Sequence, residues 1–184
     1  MAPFSIRTYG DPVLRQHTAE ITDIDGSIAQ LVDGMIEALR DASGLGLAAP
    51  QVGVEKRLFV YDLHDDEGNK TIINPTITES GGDYTYEEGC LSVPGLYFTI
   101  VRPRDVLLSG LDLDGNDLQI EATELQARLF QHEVDHLNGT LVLEHLQPPQ
   151  RKTAMRILRE RQLDGRNGKS DPITIGLDGE IVED

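Results

Sequence analysis

The pentapeptide His132-Glu133-Val134-Asp135-His136 constrains this chain more than any other feature, because its residues work together only on a helix. Residues four apart on a helix share one face, so both imidazoles can reach a single metal ion. Glu133 is turned about 100° around the axis from His132. It can therefore act on a water beside the metal without becoming a ligand, taking its proton while the metal lowers the water's pKa. The flanking residues supply the helix. Thr123 opens it, Gln126 follows at capping-box spacing, and Gly139 is placed to close it. Leu125, Leu129, His132, His136 and Gly139 fall along one side, so the histidines continue an apolar, inward-facing stripe.

A hydrolytic metal takes three protein ligands and leaves one position open. Two short routes to a third ligand are poor. Val142 stands where the longer metzincin pattern places a third histidine, and Glu160, the glutamate a gluzincin would use, lies on a basic segment. His145 falls beyond the helix-ending glycine. Cys90, the only cysteine, remains, and its thiolate is a strong soft ligand. A lone cysteine is more often a small buried hydrophobe. On the residues alone the third ligand stays open.

The rest of the chain reads as α+β. Ser27 as N-cap and apolar residues at Ile28, Leu31, Val32, Met35, Ile36 and Leu39 predict an N-terminal helix that Gly44 ends. Leu58–Leu63 and Thr71–Ile73 read as paired strands around a turn at His64–Asn69. Val106–Leu113 and Leu118–Ala122 read as a hairpin about Asp114-Gly115-Asn116. Pro148 and Pro149 start a C-terminal helix. The expected architecture is short antiparallel β-strands and hairpins packed around a central metal-binding helix, with an N-terminal and a C-terminal helix. Residues 1–164 are expected to form a single catalytic domain. Residues 165–184 read as a polar acidic tail, either a small hairpin about Asp178-Gly179 or a mobile segment.

Charge narrows the function. A net charge of −16 over 184 residues argues against nonspecific nucleic-acid binding, specific DNA binding and attachment to anionic membranes. No apolar run approaches the ~18 residues of a membrane span. The first residues show no export signal, and a single cysteine excludes an internal disulfide, so a cytoplasmic location is expected. Against this acidity, residues 151–169 hold seven basic side chains (Arg151, Lys152, Arg156, Arg159, Arg161, Arg166, Lys169) and only Glu160 and Asp164. Such a run is either a solvated helix face or a docking surface for ribosomal RNA.

Three segments in register resemble one family: Gly44-Leu45-Gly46-Leu47-Ala48-Ala49-Pro50-Gln51, Glu88-Gly89-Cys90-Leu91-Ser92 and Gln131-His132-Glu133-Val134-Asp135-His136-Leu137. Their order and separation are similar to those of the peptide deformylases, over residues 7–160. The resemblance implies that Cys90, His132 and His136 hold one divalent metal, usually Fe(II), with Zn(II), Ni(II) or Co(II) able to replace it. It implies Glu133 as general base, and Gln51 with the backbone N–H of Leu91 as donors to the formyl oxygen. It also pairs Glu88 with Arg102. The implied substrate is an N-formyl-methionyl peptide bound as an added strand along Gly46 and Gly89. Leu45, Leu125, Leu129 and the stem of Arg128 are then expected walls for the methionine side chain. Tyr97 departs from the arginine that some relatives carry near the substrate entrance. A general metallopeptidase using the same helix is the alternative, and a non-catalytic metal protein would leave Glu133 without a role.

Overall fold

The computed structural model describes residues 4–163 and 171–182. Its elements run α1 (Gly26–Asp41), β1 (Gly46–Ala48), β2 (Leu58–Tyr61), β3 (Lys70–Gly81), β4 (Tyr84–Gly89), β5 (Leu96–Arg102), β6 (Asp105–Leu111), β7 (Asp117–Thr123), α2 (Glu124–Leu137), α3 (Pro148–Leu163), β8 (Ile173–Ile175) and β9 (Ile181–Val182). The class is α+β, as expected.

Five strands form an antiparallel sheet in the order β1-β2-β3-β6-β7. The period-2 alternation of β2 explains why its sequence is apolar throughout. Leu58 and Val60 face a core shared with α1, whereas Phe59 and Tyr61 face α2. The sheet is thus covered on both sides at β2. Below α2, Phe59, Tyr61 and Phe130 form an aromatic cluster with centroids 5.2–6.0 Å apart. A second sheet has the order β4-β5-β8-β9, with β8 parallel to β5 and antiparallel to β9. Its core residues Leu96, Phe98 and Ile100 pack with Cys90, Leu143, Ala154 and Ile157.

The structure corrects several local readings. The cap of α1 is Asp25, not Ser27: Asp25 Oδ1 accepts from the backbone N–H of Ser27 at 2.8 Å and from its hydroxyl at 2.6 Å. The left-handed residue after α1 is Ser43, at φ 52°, rather than Gly44. Thr123 is the N-cap residue of α2 but makes no side-chain cap bond. Its hydroxyl donates to Asp105 at 2.7 Å instead, so the capping box with Gln126 does not form. The strand read at Thr71–Ile73 is the start of a twelve-residue β3. Pro75 and two register shifts interrupt its pairing with β6 and break the alternation a sequence reading relies on. In the basic segment, Arg161 is buried, with Nη1 donating to Pro94 O at 2.9 Å, so it is no part of an exposed face. Arg166 and Lys169 lie outside the described residues.

Gly139 closes α2 as expected, at φ 72°, and a Cβ there would sit 2.6 Å from Arg15 O. Gly68 has nearly the same φ, 69°, with nothing within 4 Å of its Cβ position. Gly68→Ala should therefore cost only the left-handed backbone penalty of about 1–2 kcal/mol. Gly139→Ala should cost measurably more in thermal or urea unfolding. Equal losses would mean that the loop at Arg15 yields without strain.

Candidate metal centre

The central helix carries two faces. Ala127, Phe130, Val134 and Leu137 pack into the cluster on the five-stranded sheet. The other side turns His132, Glu133 and His136 inward, and all three are buried. Cys90 arrives from elsewhere, directly after β4. It brings Sγ to 3.3 Å from His136 Nε2, which lies 3.2 Å from His132 Nε2. The ligand atoms of Cys90, His132 and His136 all fall within 4.8 Å of one another, the one such cluster found among the described residues.

This arrangement suits a cation. Two imidazole nitrogens bound to one metal at about 2.1 Å in tetrahedral geometry are spaced by about 3.4 Å. The observed separation of the two Nε2 atoms, 3.2 Å, is close to that, and two bare lone pairs at such range repel. The electrostatics agree. Burial opposes charge on His132, but Cys90 and Glu88 outweigh it and hold its pKa well above the ordinary range. Burial, then the neighbouring His132, pushes His136 well below that range. Without a metal, a proton is thus favoured on His132 beside Cys90 and disfavoured on His136, and a bound cation would take the place of that proton. One soft thiolate and two imidazoles fit Fe(II), Zn(II), Co(II) or Ni(II) alike.

The orientation of His132 is set behind the site. Its Nδ1 donates to Glu88 Oε1 at 2.5 Å, which turns Nε2 toward Cys90 and His136 as the nitrogen a metal would take. Glu88 is held in turn by Arg102, whose Nε and Nη2 donate to the two carboxylate oxygens at 2.8 Å each. The expected pair is therefore present. Burial works against the charge of Glu88, yet His132 and Arg102 keep its pKa well below the usual carboxylate range. Arg102 also donates to Asp135 Oδ2 at 2.9 Å, and His145 Nε2 donates to the same oxygen at 2.7 Å. His145 thus engages Asp135 and takes no place among the clustered ligand atoms.

A cleft of about 470 Å³ opens onto the centre. Leu45, Gly46, Gln51, Gly89, Cys90, Leu91, Arg128, Leu129, His132 and Glu133 line it. Leu125 does not: it stands in the first turn of α2, 37% exposed. The amide of Gln51 has a fixed sense, because Oε1 accepts from Ala48 N–H at 2.8 Å. Its Nε2 consequently faces Ser92 Oγ at 3.2 Å and Cys90 Sγ at 4.0 Å. Arg128 lies over the ring of Tyr86, 5.1 Å from the centroid, and donates to Glu87 O at 3.0 Å, so its side chain is held against β4. Tyr97 lines the cleft, at the position noted for its departure from arginine; Tyr86, which also lines it, and Ser92, which holds Gln51 from outside the lining, were not singled out by sequence reasoning. The two tyrosines lie on polar strand positions that carry no motif.

Burial pushes the Glu133 carboxyl up to about 7, and its Oε2 has no hydrogen-bond partner among the described residues. Its position depends on Gly46, because a Cβ there would collide with the Glu133 carboxylate. Gly46→Ala should therefore displace the carboxylate and cut turnover by about 10²-fold or more, with metal content unchanged. Normal turnover in a metal-replete variant would show that Glu133 has room to shift.

The comparisons converge on one family. A family model described as polypeptide deformylase matches residues 3–152. A peptide deformylase of Thermodesulfovibrio yellowstonii is 46% identical over 155 residues, covering 83% of this chain and 94% of its own. One from Acidothermus cellulolyticus is 42% identical, covering 90% and 91%. Among solved structures, a peptide deformylase from Legionella pneumophila superposes with a TM-score of 0.83 at 40% identity, covering 90% of this chain and 99% of its own. One from Synechococcus elongatus, in complex with actinonin, has a TM-score of 0.82 at 37% identity, covering 88% and 89%.

Proposed function

Because the chain belongs to the polypeptide deformylase family, we propose that Cys90, His132 and His136 hold its metal and that Glu133 moves the proton in its reaction. That reaction is hydrolysis of the formyl group from the N-terminus of nascent peptides, releasing formate and a free amine. The observation that carries the site assignment is the convergence of one sulfur and two ring nitrogens beside a buried carboxylate with an unpartnered oxygen.

When bound, the metal supplies a Lewis acid that makes water nucleophilic near neutral pH. The chain supplies the rest. Glu133 takes the proton of the attacking water and returns it to the nitrogen as the C–N bond breaks, and its raised pKa suits both transfers. The Nε2 of Gln51 and the backbone N–H of Leu91 donate to the formyl oxygen as it gains negative charge. Support for Gln51 comes from its pinned amide, which can present only Nε2 to the site. The peptide lies extended between β1 and β4. Both are edge strands of their sheets and both border the cleft, so each offers unpaired backbone groups. Leu45, Leu129 and the stem of Arg128 then border the methionine side chain. Leu125 is left to a peripheral contact at most, given its exposure. Fe(II) is our reading of the native metal, with Zn(II), Ni(II) or Co(II) as replacements, and the cytoplasm our reading of the location. No helix among the described residues is long and apolar enough to cross a membrane.

The first test is formate release from formyl-Met-Ala-Ser by protein purified without air, beside Glu133→Ala. Wild type should be active and the variant slower by about 10²–10⁴-fold. Cleavage of internal peptide bonds in casein, without formate release, would instead favour the metallopeptidase.

We further propose that α3 docks on the ribosome through its exposed basic side chains. Arg151, Lys152, Arg156 and Arg159 are exposed, although Arg156 also pairs with Glu160 at 3.1 Å. Changing Arg156 and Arg159 to Glu should weaken cosedimentation with ribosomes and leave hydrolysis of the short formyl-peptide unchanged. Unaltered cosedimentation would reduce the basic segment to a solvated helix face.

A further inference from the structure

Asp135 is the one polar residue of the pentapeptide that the reaction does not use, since Val134 packs into the core, and the structure gives it an unusual position. A single oxygen, Oδ2, accepts two hydrogen bonds: from Arg102 Nη1 at 2.9 Å and from His145 Nε2 at 2.7 Å. Arg102 is one-twentieth exposed and has no further freedom. Its Nε and Nη2 are committed to Glu88, so Nη1 and Asp135 fix the rotation of the guanidinium plane. Glu88 in turn receives the Nδ1 proton of His132. Every group in this chain is matched in sense. His145 donates to Asp135, Arg102 donates to both carboxylates, and His132 donates to Glu88.

We propose that His145 is the outer positioning residue of the metal centre, acting through Asp135, Arg102 and Glu88 to hold the ring of His132. The inference rests on the reading of Cys90, His132 and His136 as metal ligands. The covalent route supports it. His145 follows a short 3-10 helix at Val142–Glu144, packed into the core of the second sheet. Asp135 belongs to α2, and Arg102 ends β5. The contact therefore joins three elements behind the cleft, whose lining includes neither His145 nor Asp135. With His145 gone, Asp135 keeps one donor and can swing to solvent, because its side chain is already 22% exposed. Arg102 would then lose its third anchor, and the ring of His132 would gain freedom.

The test uses Co(II), whose bands from thiolate and imidazole ligation report the coordination sphere directly. Wild type, His145→Ala, His145→Gln and Asp135→Asn are loaded with Co(II), and its loss to a chelator is followed together with the spectrum. His145→Ala should hold Co(II) on the order of tenfold more weakly, the low end for outer partners of metal-binding histidines, with a shifted spectrum. His145→Gln, whose amide can donate to Asp135, should recover most of both. Combining His145→Ala with Asp135→Asn should add little to the larger single loss, as for two members of one chain. Wild-type affinity and spectrum in His145→Ala would overturn the proposal, and so would full additivity in the double variant. A wild type that binds no Co(II) would instead sink the metal-centre reading on which it rests.

Discussion

The buried carboxylate of Glu88 is the constraint around which the rest of the site is built. A carboxylate 1% exposed must be compensated, because an isolated charge there would cost several kcal/mol. Its compensation comes from two directions. Arg102 at the end of β5 clamps both oxygens, and His132 on α2 donates to one of them. Strand, neighbouring strand and helix are thereby locked at one point, two residues before Cys90 in the chain. A buried ion pair contributes little net stability compared with apolar packing, whereas breaking one by removing a partner costs about 3–5 kcal/mol. What Glu88 supplies here is orientation: it selects which ring nitrogen of His132 remains free.

How much of this was legible in the sequence depends on the range of the interaction. The helix of His132 and His136 follows from spacing within one turn, and both ends of α2 fall where the residues suggested. The hairpin of β6 and β7 was readable because its turn residues and apolar alternation are local. The capping of α1 and α2 was misread for one reason in both cases. Each hydroxyl goes to a nearby aspartate: Asp25 caps α1 itself and takes the hydroxyl of Ser27 from inside the first turn, while Asp105 draws the hydroxyl of Thr123 away from the α2 backbone. Strand β5 alternates in burial, but its exposed residues Tyr97 and Val101 are themselves apolar or aromatic and hide that period in the sequence, while β4 carries no alternation. Their pairing, and the parallel addition of β8, is set by tertiary contact. The same limit hid His145. Its partner lies ten residues away across a turn, at no spacing that a helix or strand pattern flags.

Gly46 and Gly89 show a further kind of information that sequence carries without stating its reason. The resemblance implied an extended substrate along both glycines. The structure adds a prior demand from within the protein. At Gly46 the space is taken by the Glu133 carboxylate, and at Gly89 by the ring of Tyr97. The two edge strands that border the cleft are therefore narrowed by their own neighbours before any peptide arrives, and a substrate must meet them through backbone atoms.

The metal centre draws its ligands from separate folding units. His132 and His136 sit on α2, whose apolar face is buried against the five-stranded sheet. Cys90 follows β4 and packs into the core of the other sheet. The three donors converge only when both cores have formed and α2 lies between them. A cation that binds this converged set and binds the unfolded chain poorly must stabilise the docked arrangement by mass action. Metal affinity is therefore an assay of how well the two halves close on each other. That is why residues that do not line the cleft, Arg102 among them, belong to the chemistry of the site as much as those that do.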